Sequence, residues 1–336
     1  MTSKEFAKLI GVSQSTVSRA MNDSDLVPEE KRRFIQQKAR EYRFVLNSHA
    51  KSLRTLHTHT IGILFPKHFV SMSANMMLSH VYDYLQKEMH KYDYDIMVIY
   101  YKAEDDDFSS FERIIRTHKV DGFLVLRMEL SPEEVDLLGE YQIPCVFLLN
   151  ASVNIRPDLN YLFSDSEYGG YEAGRYLGRF PEYRKLFLTA REETHDSARR
   201  LAGYRRGLLS AGQTLADEDI LRCSLSIESA HRCILENRSR FDGQKAAVFT
   251  YNDMLGIGVV NACREMGCAV PEQVQVISMD DIPLAGMIHP CLSTIHVDVE
   301  EMVSRGCKLL MELIHGEESF VQEWLKPWLI LRETTR

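Results

Sequence analysis

The sequence predicts a two-part molecule: a small all-α helix-turn-helix head, then an α/β body of two doubly wound parallel-sheet subdomains. Three observations carry this. The chain has 336 residues, more than one ordinary domain needs. Residues 1–60 hold 11 Lys/Arg against 6 Asp/Glu, while the remaining 276 hold 29 against 42. From Thr60 onward, apolar runs of five or six residues alternate with amphipathic stretches, the pattern of buried parallel strands and covering helices.

The head comes first. Thr2-Ser3-Lys4-Glu5 reads as a capping box, with Thr2 and Glu5 each bonding the other's backbone N–H. Phe6, Leu9 and Ile10 then give one apolar face, and Gly11 permits the tight turn that ends the helix. Ser13 caps a second helix, Gln14 to Asn22, which shows Gln14, Ser15 and Arg19 on its outer face. Gln and Arg side chains can pair with base edges in the major groove. The alternative is that they are simply solvated. The basic head on a chain of net charge −8 favours a phosphate-bearing partner at this end alone. A third helix, from about Pro28 to Glu41, turns Ile35, Ala39 and Tyr42 inward and Lys31, Arg32 and Arg33 outward. The next helical stretch, 47–54, spans two turns and needs a partner to be stable.

The order and spacing of Thr16-Val17-Ser18-Arg19 with Asn22, Val27-Pro28-Glu29-Glu30, Asn47 and Ala50-Lys51-Ser52-Leu53-Arg54-Thr55 resemble the lactose/galactose repressor family. The resemblance implies a DNA-binding domain over 1–57 in which Gln14, Ser15, Thr16, Ser18, Arg19 and Asn22 face the operator. It further implies a hinge helix, 47–54, that enters the minor groove as a symmetric pair through Asn47, Ala50 and Leu53. The leucine is the wedge that kinks the duplex, an established way of bending DNA. The sequence departs from the family at Pro28, where Ser or Thr is usual, at Arg43, where Gly is common, and at Leu46, where Pro is common.

The body begins with Ile61–Phe65, Asp95–Tyr100, Gly122–Leu126 and Cys145–Leu149 as strands, with helices near 75–91, 109–118 and 132–141. The cycle repeats with strands at 185–189, 246–251 and 274–279. The resemblance extends here through Arg200-Leu201-Ala202-Gly203-Tyr204, Tyr251-Asn252-Asp253, Val276–Pro283 and Leu292–Ile295. It implies a bilobal body of periplasmic-binding-protein type over 58–336. The first lobe then comprises about 58–161 and 296–319, and the second about 162–295 and 320–336, with Trp324–Arg332 as the last strand of the second. Arg200, Asn252 and Asp280 then bind a small effector, with Asn252-Asp253 favouring a carbohydrate over a purine. A nucleobase or sugar phosphate is the alternative. Each residue also has a plainer reading: Asp280 or Asn252 as a helix cap, Arg200 as the ion-pair partner of Asp196 or Glu193. Leu149 and Val297 stand where some sugar-binding members place polar contacts, so the first-lobe side of the cleft is expected to be more apolar.

Other classes fare worse. No Gly-rich phosphate loop is present, so no cofactor is expected. The seven cysteines form no C-x-x-C pair, and His57 and His59 have no second ligand pair at zinc spacing, so no metal is expected. His195-Asp196 or Asp280-Asp281 can be drawn as acid/base pairs, yet no nucleophile motif accompanies them, and the chain reads as no enzyme. A transport-type binding protein would need a secretion signal and no head. The expectation is a cytoplasmic, membrane-free homodimeric repressor reading a palindromic operator, with no heptad tail for further assembly.

Overall fold

The computed structural model describes residues 1–21, 23–45, 57–65, 76–100, 108–126, 130–150, 156–192 and 194–336. Asn22, Asn47, Ala50 and Leu53, the hinge as a whole and the loop 67–75 lie outside these residues.

The head is α1 (Ser3–Leu9), α2 (Gln14–Met21) and α3 (Glu29–Glu41). Its capping box is formed: the Thr2 N–H donates to Glu5 Oε2 at 2.7 Å, and the Glu5 N–H to Thr2 Oγ1 at 3.3 Å. Gly11 takes φ +72° between α1 and α2, and Ser13 Oγ accepts the Thr16 N–H at 3.1 Å. Phe6, Ala7, Val17, Ala20, Ile35 and Ala39 form the core. Two inward positions differ from expectation, because Leu9 is 53% exposed and Tyr42 is 43% exposed. Phe44 takes the place expected of Tyr42, stacking on Phe6 with ring centroids 4.1 Å apart. The cause is a Schellman turn: the Phe44 N–H bonds Ala39 O at 2.8 Å and the Arg43 N–H bonds Arg40 O at 3.2 Å. Arg43 sits at φ +48°, the left-handed conformation that Gly adopts without penalty.

The first sheet is built from β1 (Thr60–Phe65), β2 (Asp95–Tyr100), β3 (Gly122–Leu126), β4 (Cys145–Leu149) and β5 (Asn160–Ser164), with α4 (Met76–Lys91), α5 (Phe108–Arg116) and α6 (Pro132–Glu140) between them. After α7 (Ser166–Leu177) the second sheet opens with β6 (Arg184–Ala190), α8 (His195–Ser210), β7 (Ile220–Cys223) and α9 (Ile227–Glu236). It continues with β8 (Ala246–Thr250), α10 (Asp253–Met266), β9 (Val274–Asp280) and β10 (Ser293–His296). The chain closes with α11 (Val299–Ile314), β11 (Gln322–Leu325) and β12 (Trp328–Ile330). The strand orders are β11-β5-β4-β3-β1-β2 and β12-β10-β9-β8-β6-β7. Pairing is parallel except between β10 and β12. Strands β3, β8 and β9 are buried throughout, as two covered sheet faces require. No helix among the described residues is long and apolar enough to cross a membrane.

The lobe limits need correction. Strand β5 carries the first sheet to Ser164, past the expected limit near Leu162. The closing stretch is not one strand of the second lobe. Gln322–Leu325 pair in parallel with Tyr161–Ser164 in the first sheet, and only Trp328–Ile330 pair with β10 in the second. Pro327, with no N–H to give a ladder, breaks the run between them. The chain therefore passes between the sheets after Ser164, after His296 and at Lys326-Pro327, the last of these falling beyond the expected place near Ser319.

Helices α7 and α8 meet backbone against backbone. A Cβ on Gly170 would overlap the Arg200 carbonyl, one on Gly174 the Tyr204 carbonyl, and one on Gly203 the Glu167 carbonyl. Nothing surrounds the corresponding position at Gly139 in α6. The same substitution should thus act in opposite directions. Gly203→Ala should cost about 1–3 kcal/mol or more through overpacking, whereas Gly139→Ala should contribute up to about 0.5–1 kcal/mol of stability. Thermal unfolding of the full-length protein measures both, and equal shifts would contradict the close α7–α8 contact.

Candidate functional site

In the second sheet β6 and β8 are neighbours while β7 lies outside β6. The connections from β6 and β8 therefore leave toward opposite faces and open a crevice at their carboxyl ends, the usual ligand position in such sheets. Both connections enter helices with firm caps. Thr194 Oγ1 accepts the Ser197 N–H at 3.1 Å at the start of α8, and Asn252 Oδ1 accepts the Leu255 N–H at 3.1 Å at the start of α10.

Arg200 stands one turn into α8 with only 1% of its surface exposed. Its Nη2 lies 2.8 Å from Asp196 Oδ2 and 3.7 Å from Asp280 Oδ1. Its Nη1 donates to the Tyr251 carbonyl, and the guanidinium lies over the Tyr251 ring, 4.3 Å from its centroid. Burial opposes the charge, but Asp196, Tyr251 and Asp280 outweigh it and raise the Arg200 pKa above the ordinary value. Its Nε is buried with no hydrogen-bond partner among the described residues, a costly state for a donor.

Asp280 ends β9 with φ +122° and Asp281 follows at φ +57°. Leu149, at the end of β4 in the other lobe, has φ +81°. Backbone strain at non-glycine residues tends to gather where side chains are aimed for function. Leu149 and Val297 are both buried. The structure thus brings Arg200 and Asp280 together and places Asn252 beside Tyr251, whose carbonyl Arg200 holds. The plainer readings of Asn252 and Arg200 are also realised, as a helix cap and as the partner of Asp196. For Asn252 the two roles are compatible, because the cap uses Oδ1 and leaves the Nδ2 donors without a hydrogen bond among the described residues.

The drawn acid/base pairs are otherwise engaged. Asp196 accepts from Ser166, Arg200 and the Tyr251 hydroxyl. Asp281 is held by His296 Nδ1 at 2.7 Å and Arg332 Nη2 at 2.6 Å. Burial pushes the Asp281 carboxyl up, but these two partners win and its pKa is lowered. In the head, Gln14, Ser15 and Arg19 are exposed along α2, while Thr16 and Ser18 are half-buried, Thr16 bonding the Ser13 hydroxyl at 2.7 Å.

Comparison with known proteins agrees with the two-part fold. Residues 2–47 match the family of bacterial regulatory proteins, lacI family, and residues 182–335 match a periplasmic binding protein-like domain. The chain is 28% identical over 342 aligned residues to the HTH-type transcriptional repressor PurR of Vibrio vulnificus (strain CMCP6), covering 100% of this chain and 98% of that one. In fold it is similar to the lac repressor dimer bound to operator and the anti-inducer ONPF, with a TM-score of 0.83 at 19% identity, covering 100% and 99% of the two chains. It is also similar to the transcriptional regulator CelR in complex with cellobiose, with a TM-score of 0.73 at 23% identity, covering 99% of each.

One buried acid, Asp253, enters the sequence reading only as the neighbour of Asn252 in effector preference, with no structural role. Asp253 is fully buried, accepting from the Ser278 hydroxyl, from Thr294 Oγ1 at 2.6 Å and from the Ile282 N–H at 2.8 Å. Its signal was the hydroxyls of Ser278 and Thr294 in strands that lie buried at those positions, since buried polar groups need partners. Burial first and then Asp280 raise its pKa to about 7, against the lowering by its three donors. Between about pH 4 and 7 the folded protein therefore keeps a proton that the unfolded chain has released. This group's contribution to stability falls as pH rises through that window and stays lost above it. Asp253→Asn removes the titration. The stability of the variant relative to wild type should rise across the window, by at most about 1.4 kcal/mol per pH unit. Denaturant unfolding of both proteins at about pH 5 and about pH 8 checks this, and a difference independent of pH would contradict it.

Proposed function

Because this chain belongs to the lacI family of bacterial regulatory proteins, we propose that its hold on operator DNA is controlled by a small carbohydrate-like effector. Members of the family are DNA-binding transcription regulators, not enzymes. The proposed site is the crevice at the carboxyl ends of β6, β8 and β9. The observation that carries it is the buried Nε of Arg200, a donor without a partner among the described residues, beside the Asp280 carboxylate. A donor and an acceptor side by side match neighbouring sugar hydroxyls, each of which both gives and accepts a hydrogen bond. Asn252 Nδ2 supplies a further donor. A planar nucleobase would favour an open aromatic face, and the Tyr251 ring is covered by the Arg200 guanidinium. That CelR, of similar fold, holds cellobiose supports the same reading.

The DNA side of the proposal pairs two heads on a palindromic site through a homodimer. Gln14, Ser15 and Arg19 read base edges and Leu53 of the hinge wedges the minor groove. Effector binding acts by its differential affinity for the two lobe arrangements, which alter the distance between the paired hinges.

Two measurements test this. Arg19→Ala should weaken binding to the cognate operator by about 1–3 kcal/mol and change binding to random DNA little; equal loss on both would leave Arg19 a phosphate contact. A thermal-shift panel of sugars including cellobiose, sugar phosphates and nucleobases on the full-length protein should show a rise in Tm with a sugar. Arg200→Lys, which keeps the charge but loses the fork, and Asp280→Asn should each weaken binding of that sugar by about 1.5–3 kcal/mol. A shift with nucleobases alone would overturn the carbohydrate reading.

A further inference from the structure

Away from the crevice, the loop between β9 and β10 and the C-terminal tail bring three unlike ligand groups onto one surface of the second lobe. A ligand atom from each of His289, Cys291 and Glu333 lies within 4.8 Å of the others, and His289 Nδ1 is 3.3 Å from Glu333 Oε2. The two segments are tied together on both sides of the cluster. The Cys291 N–H donates to Glu333 Oε2 at 2.7 Å, and the Thr334 N–H to Cys291 O at 3.1 Å. Thr334 O in turn accepts the Val276 N–H of β9 at 2.9 Å, and the Arg264 guanidinium holds the His289 carbonyl. The chain thus fixes the spacing of the three side chains through its own backbone. His289 and Glu333 keep 84% and 56% of their side-chain surface exposed, so an ion has an open approach.

We propose that His289, Cys291 and Glu333 bind a divalent cation of the zinc class, with a fourth position open to water. The donor set selects the class. Calcium and magnesium take oxygen ligands, whereas thiolate and imidazole together suit zinc and its neighbours. A tetrahedral ion with donors at about 2.0–2.3 Å sets those donors roughly 3.3–3.8 Å apart, so the cluster closes on it with small side-chain rotations. As the metal–sulfur bond forms, the Cys291 thiol gives its proton to solvent; no electron changes hands. Bound metal would tie the tail to the loop that leaves the Asp280 end of β9. Sequence spacing could not show this site, because Glu333 comes from a separate segment that returns to the lobe after the chain has passed through the other one.

The test is a Co²⁺ titration of the full-length protein in the reduced state. One equivalent per chain should bind with a thiolate-to-cobalt charge-transfer band in the near ultraviolet, and Zn²⁺ should bleach it. Cys291→Ser should abolish the band, and His289→Ala and Glu333→Gln should each weaken Co²⁺ binding at least about tenfold. Absence of the band in wild type, or its survival in Cys291→Ser, overturns the site. Should Cys291→Ser fail to fold by circular dichroism, His289→Ala decides, since that side chain is mostly exposed; unchanged Co²⁺ affinity there overturns the proposal equally.

Discussion

A single buried guanidinium organises the second lobe. Arg200 reaches from α8 to Asp196 on its own helix, to the Tyr251 carbonyl after β8 and to Asp280 at the end of β9. One helix and two strand ends that share no local sequence are thereby held to one another. Taking a charge out of water is expensive, and the surrounding carboxylates are what make it tolerable. That Arg200 reaches these partners depends in turn on the α7–α8 contact, where Gly170 lies against the Arg200 backbone. A side chain at that glycine would push α8 outward and draw the guanidinium away from Asp280. Packing between two helix backbones is therefore a precondition for the electrostatics of the crevice.

The same region anchors the passages between lobes. Asp165, which caps α7, donates its N–H to Leu325 O at 2.9 Å and accepts from Arg199 at 3.2 Å. Arg199 also lies over the Trp324 ring, 4.4 Å from its centroid. Near the second passage, His296 bonds Asp281 and packs its ring at a tilt against Trp328, with centroids 4.3 Å apart. The residues next to Asp280 and Arg200 in sequence, Asp281 and Arg199, thus grip the connecting segments. A group that alters the Arg200–Asp280 pair is one residue away from both grips. Under the proposed function this would give crevice occupancy a physical route to lobe arrangement, with hinge-type motion taken up at a few connecting residues.

Much of this was legible in the sequence because short-range rules suffice for it. Apolar runs such as Gly122–Leu126 have only one way to be buried on both faces, and the Thr2–Glu5 box and Gly11 turn are local chemistry. Arg200, Asn252 and Asp280 could be singled out because the motifs that contain them resemble those of the family, Arg200 inside a helix and Asn252 and Asp280 at strand ends. What escaped depends on tertiary pairing. Strands β5 and β11 are short and partly exposed, so neither carries a strong alternation and their mutual register is set only by the fold. Tyr42 continues the helical stripe of Ile35 and Ala39, but the Schellman turn at Arg43 swings Phe44 into the core instead. The Asp196–Arg200 pair was legible from their i, i+4 spacing, whereas the raised pKa of Asp253 follows from a burial that its sequence neighbours do not signal.

The central claim is that occupancy of the crevice around Arg200 and Asp280 and occupancy of the operator are thermodynamically linked. Linkage is reciprocal, which makes the claim directly measurable. The affinity of the full-length protein for the effector can be determined by calorimetry with and without saturating operator DNA, and its operator affinity with and without saturating effector. The account predicts the same factor both ways, of about fivefold or more. Tight effector binding that leaves operator affinity unchanged would contradict it.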